Sequence, residues 1–142
     1  MLKASKLFPI LIVLLFVVAC ATNDETQHIR SLEAKPSVSQ EKAKQTEMIL
    51  KRMNEVEEVQ AVSLKDDVYV AVNVTGFDRL FLEKIRKEAY KRANDLNSDG
   101  EVYVSTDRKI FMQLTNLYEE IYDGKKSEEQ LKKDLAKIKE DM

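Results

Sequence analysis

Twelve consecutive apolar residues, Leu7 to Val18, separate a short basic head from a polar chain, and they decide how much of the sequence is left to fold. As a helix they reach about 18 Å at 1.5 Å per residue, against roughly 30 Å of bilayer hydrocarbon. They are too short for a permanent span. Lys3 and Lys6 precede them, Ala19 and Cys20 follow, and polarity rises at Thr22-Asn23-Asp24-Glu25. A basic head, a short apolar run and a small residue before polarity resumes is the order of an export leader. Residues 1–19 are therefore expected to be a signal peptide that takes no part in the fold.

Val17-Val18-Ala19-Cys20 resembles a bacterial lipobox, in which apolar and small residues precede a Cys. Val18 is bulkier than the residue usual at its place. Cys is needed because its thiolate is the nucleophile that takes a diacylglyceryl group. The resemblance implies cleavage after Ala19 and acylation of the new N-terminus at Cys20, the one lipidation site. An ordinary secretory leader that contains a Cys is the other reading. Two or three acyl chains, at about 0.8 kcal/mol per buried methylene, anchor a protein where one does not. Without Lys3 and Lys6 the mature chain holds 21 basic and 25 acidic side chains, a net charge of −4. The lipid, not the charge, then supplies the anchor.

Composition removes several classes of function. The balance of 23 basic against 25 acidic residues argues against a phosphate-tracking nucleic-acid binder. One Cys excludes an internal disulfide and a Cys-cluster zinc site, and one His excludes a two-His metal set within one chain. Only 3 Gly and 2 Pro disfavour Gly-rich phosphate loops. No catalytic residues and no cofactor are expected, and the chain reads as a non-enzyme.

Residues 20–37 lack periodicity and are rich in Thr, Asn, Asp, Gln and Ser, so they read as a lipid-anchored tether, with His28 a solvated linker residue. Helix one is expected from Val38 to Glu55, opened by a capping box Ser37-x-x-Gln40. It carries a stripe of Ala43, Thr46, Ile49 or Leu50, Met53 and Val56. A hairpin follows, Val59–Leu64 and Val68–Val74, turned at Asp66-Asp67. Val68, Val70, Val72 and Val74 share one face of it, and Tyr69, Ala71 and Asn73 the other. Helix two, Asp78–Asn94, has the stripe Leu82, Ile85, Ala89, Ala93 and Leu96. Its six cations between Arg79 and Arg92 fit either an anionic-lipid or wall-polymer surface or, with Glu83 and Glu88 among them, a solvated face. Strand Glu101–Ser105 precedes helix three, which is capped by Asp107 and stopped at Asp123-Gly124. A charged helix over 125–142 opens with a second box, Ser127-x-x-Gln130. The fold class is α+β: an αββαβ core over 38–124 whose three-stranded sheet has one face for helices one and two to cover, plus C-terminal helices. The last helix either packs on the domain, pairs with another chain or frays.

Asp95-Leu96-Asn97-Ser98-Asp99-Gly100 matches the first half of an EF-hand loop, and Asp95, Asn97 and Asp99 are weak calcium candidates. Thr106 stands where a bidentate Glu is expected, and a strand follows where a helix should. A helix-to-strand turn is the competing reading.

The leader through Cys20, the Val59–Val74 hairpin with Val68-Tyr69-Val70-Ala71-Val72, and Val102-Tyr103-Val104-Ser105-Thr106-Asp107 resemble the sporulation lipoproteins of YhcN/YlaJ type from endospore-forming bacteria. The resemblance covers most of 40–122. It lacks the long polar insert of some members, and the helix over 125–142 is not matched to the family. It implies a cell-membrane lipoprotein on the extracytoplasmic face, at the forespore or spore membrane in sporulating cells. The implied role is in spore properties, germination or outgrowth. The αββαβ order is also similar to ring-building and phospholipid-associated small domains, an analogy of fold alone. Expected partners are the membrane through the anchor, and a protein, a wall polymer or a second copy, with no nucleic acid. The alternative function is a calcium-dependent envelope protein or hydrolase built on the Asp95–Asn97–Asp99 loop.

Overall fold

The computed structural model describes residues 35–142; the leader, Cys20, His28 and all but the end of the expected tether lie outside the described residues. The chain forms α1 (Glu41–Leu50), β1 (Val56–Leu64), β2 (Asp67–Val74), a 3-10 turn (Asp78–Phe81), α2 (Leu82–Leu96), β3 (Val102–Ser105), α3 (Arg108–Tyr122) and α4 (Glu128–Glu140). This is the expected α+β order. The sheet runs β1-β2-β3, with β1 and β2 antiparallel and β2 and β3 parallel. Val62 faces Tyr69 across the hairpin, and Val70 faces Val104 across the parallel pair.

The alternation in β2 sorts its side chains into two cores. Val68, Val70, Val72 and Val74 join Val59, Ala61, Val102 and Val104 against Ala43 and Leu50 of α1 and Ile85, Ala89 and Ala93 of α2. Tyr69 and Ala71, with Val62 of β1, meet Ile110, Leu114, Leu117 and Ile121 of α3 and Leu131, Leu135 and Ile138 of α4. The expectation of one face to cover is thus corrected: helices cover both. The cause lies in the second face of β2, where Tyr69 and Ala71 are too apolar to leave in water. α4 packs on the domain, and Lys139 lies 4.3 Å above the Tyr103 ring, which itself stacks on Tyr69 at 4.8 Å.

Helix one is also corrected. It begins at Glu41 and ends at Leu50, and the Ser37-x-x-Gln40 box does not form. Both side chains are engaged elsewhere. The Ser37 hydroxyl donates to the carbonyls of Lys126 (2.8 Å) and Ile121 (3.1 Å). The buried Gln40 amide accepts from the Ser63 N–H (2.9 Å) and donates to the Ser63 carbonyl (2.8 Å). Glu47 accepts from the Ala61 N–H at 2.8 Å. Gln40, just before α1, and Glu47 within it thereby occupy donors along β1 that would otherwise be open to another strand. Burial pushes the Glu47 carboxyl above its ordinary range, against the opposing pull of the Ala61 N–H and Lys51.

Other ends follow their local chemistry. Asp107 caps α3, accepting from Lys109 N–H, and the Ser127–Gln130 box caps α4. After α3, Gly124 takes φ +69°, and the N–H groups of Gly124 and Lys125 return to Ile121 and Glu120, a Schellman stop. The hairpin turns at Lys65-Asp66, one residue earlier than expected, and β1 begins at Val56, with an irregular register before Glu58.

The two ends of the sheet carry different elements. One holds the hairpin turn, the end of α3 and the start of α4, where Ser37 is fastened and Lys65 pairs with Glu128 at 3.5 Å. The other holds the end of β2 and the 3-10 turn that leads into α2.

Candidate interaction surface on the crossover to helix two

Helix two was expected from Asp78, but the first four residues form a 3-10 turn and the α-helix starts at Leu82. The turn is held from within. Thr75 donates its N–H to the Glu55 carbonyl at 3.2 Å, its hydroxyl bonds the Asp78 carboxylate, and the Asp78 N–H returns to the Thr75 carbonyl at 3.1 Å. From Leu82 onward the inward stripe of α2 sits on the valine face of the sheet. Phe77, Leu80 and Phe81 fall off that stripe. They are 94%, 87% and 57% exposed, although large apolar side chains usually gain roughly 1.5–3 kcal/mol by burial.

Beside this tip lies a groove of about 1070 Å³ whose apolar lining is Met53, Leu80, Phe81 and Ile85. Lys84, Lys87, Lys91 and Arg92 line it together with Glu55, Glu83 and Glu88. Part of the expected basic stretch is neutralised. Glu83 pairs with Arg86 (2.9 Å) and Lys87 (3.3 Å), and Glu88 with Arg92 (2.8 Å). Hydrogen bonds from Arg86 and then Lys87 hold the Glu83 carboxyl below its ordinary range, and Arg92 does the same for Glu88. Among the described residues, Arg79, Lys84 and Lys91 form no ion pair. Between Gly76 and Arg92 there are six bases and three acids, a local charge of +3, whereas residues 35–142 hold 20 bases and 22 acids.

The Asp95–Gly100 loop has other work. Asn97 is buried, and its side-chain amide donates to the Ala93 carbonyl (2.8 Å) and to Thr46 Oγ1 (2.9 Å), joining α2 to α1. Asp95 and Asp99 are exposed. A Cβ on Gly100 would stand 2.0 Å from the Asp66 carbonyl oxygen, so the glycine admits the hairpin turn. Asp67 accepts from the Glu101 N–H at 3.0 Å, and Asp107 is a helix cap. Among the described residues, no three His, Cys, Asp or Glu side chains gather around one point.

Comparison with known protein families matches residues 19–142 to the sporulation lipoprotein YhcN/YlaJ family. The chain belongs to this family. The match begins one residue before Cys20 and runs through α4, the helix that sequence resemblance left outside. Membership makes the protein a sporulation lipoprotein, a class held at membranes through lipid. No curated protein and no solved structure matches the chain. The tip formed by Phe77, Leu80 and Phe81 was not anticipated. Its signal in the sequence is partial: Phe77 and Leu80 do not share the phase of Leu82, Ile85, Ala89 and Ala93, whereas Phe81, four residues before Ile85, does, and only the 3-10 turn takes it off the inward face.

Proposed function

We propose that this lipoprotein is a non-catalytic module of the spore envelope, cleaved after Ala19, acylated at Cys20 and displayed on the extracytoplasmic face of the membrane. In sporulating cells that membrane is the forespore or spore membrane, and the module acts in spore properties, germination or outgrowth. Its work is binding rather than bond chemistry, done through the surface around Phe77. The observation that carries this reading is the exposure of Phe77, Leu80 and Phe81 on a turn braced by Thr75 and Asp78. A chain that keeps large apolar groups in water has a contact to make with them. The family match that opens at Ala19 supports Cys20 as the anchor. We read the Asp95–Gly100 loop as structural, since Asn97 and Gly100 are spent on packing.

The anchor is tested by Cys20→Ala. The variant should leave the membrane fraction or accumulate with its leader intact. Intact mass of the wild type should equal the chain from Cys20 plus a diacylglyceryl group, with or without an N-acyl chain. A processed Cys20→Ala protein that stays fully in the membrane fraction would refute the reading.

A further inference from the structure

We infer that the Phe77–Phe81 turn, together with Arg79, Lys84 and Lys91, docks the folded domain onto the anionic surface of the bilayer that holds its own anchor. The inference rests on the acylation of Cys20 proposed above and adds a second point of membrane contact.

Charge is the first argument. The mature chain is acidic, and so is residues 35–142 as a whole, yet the seventeen residues from Gly76 to Arg92 carry +3. Within them the acids Glu83 and Glu88 are already paired, and Arg79, Lys84 and Lys91 are left to meet phosphate headgroups. Leu80, Lys84, Lys87 and Lys91 follow a spacing of four, three and four, so cations continue the line of the apolar tip along one side of α2. Apolar side chains at a tip with lysine and arginine behind them is the pattern of an interfacial contact, buried roughly 5–10 Å into the headgroup region.

Size is the second argument. Two phenylalanines offer roughly 150–250 Å² each, and a tip of three side chains falls short of the about 800 Å² per partner found in stable protein interfaces. A bilayer needs no matching surface and accepts a small protrusion.

Reach is the third. The tip lies at the end of the sheet away from Ser37, and β2 alone spans roughly 25 Å. The fourteen residues from 21 to 34 extend to roughly 45–50 Å. One bilayer can therefore receive both the acyl chains and the tip, and the tether keeps the tip at high local concentration near the lipid.

The chain contains no Trp, so Phe77→Trp in the full lipoprotein is a unique reporter. The protein is reconstituted into vesicles of phosphatidylglycerol and phosphatidylethanolamine. Docking predicts blue-shifted emission that is quenched by lipids brominated in the upper acyl chain. Replacing Arg79, Lys84 and Lys91 together by Gln should weaken the docked state on the order of 100-fold, with an unchanged thermal melt. Water-like emission without quenching would overturn the inference. So would a blue shift without quenching accompanied by a cross-linked dimer, which would assign the tip to a second copy. Co-flotation with the vesicles reads the anchor separately, because an acylated protein floats whether or not its tip docks.

Discussion

Gly100 lies in the loop that matches half an EF-hand, and the structure gives its missing side chain a packing reason. The Asp66 carbonyl of the hairpin turn occupies the space a methyl group would need. Gly100→Ala should cost about 1–3 kcal/mol through overpacking, read as a lower urea midpoint. Gly76→Ala, with nothing within 4 Å of the added carbon, is the control and should change little. The sequence alone does not separate a glycine needed for a calcium loop from one needed for a neighbour 34 residues away, because the approach of Asp66 is tertiary. The same holds for Asn97, which carries the residue type of a ligand and the hydrogen bonds of a helix clamp. Phe77, Leu80 and Phe81 pose the reverse case. Phe77 and Leu80 miss the inward stripe already in the chain, but Phe81 stands four residues before Ile85 and reads as part of it until the 3-10 turn and its exposure show otherwise.

The helices and strands were legible where one local force sets them. The valine alternation of β2, the Asp107 cap, the Ser127–Gln130 box and the Gly124 stop all appear as read. The Ser-x-x-Gln pattern occurs twice and forms a box once. At Ser127 both partners are solvent-accessible and local. At Ser37 the hydroxyl reaches Lys126 and Gln40 reaches Ser63, so long-range bonds displace the cap and delay the helix. The place of α4 was open for a related reason: a narrow apolar stripe of Leu131, Leu135 and Ile138 does not say what it meets. It meets α3 and the Tyr69 side of the sheet, with Leu131 and Leu135 fully buried. Leu135→Ala should therefore cost about 2–5 kcal/mol, measured by chemical denaturation. A helix that frayed in solution would give almost no change.

For residues 35–142 as a whole, the two cores are not independent, because β2 is the wall of both. Loss of either helical layer exposes one side of a strand whose other side is still packed. Unfolding should then be a single transition. Far-UV dichroism, which reports all four helices, and near-UV dichroism, which weighs the stacked Tyr69 and Tyr103, should melt together. Two separated midpoints would show that the layers come apart one at a time.

The shared wall also dictates a timetable. α1, the hairpin, α2 and β3 complete one side of the sheet first in a chain made from its N-terminus, while Val62, Tyr69 and Ala71 wait for α3 and α4. Until Ile138 has been delivered, the nascent lipoprotein shows an open apolar flank to whatever chaperone or protease shares its compartment. Its survival until it is folded then depends on the arrival of its last helix.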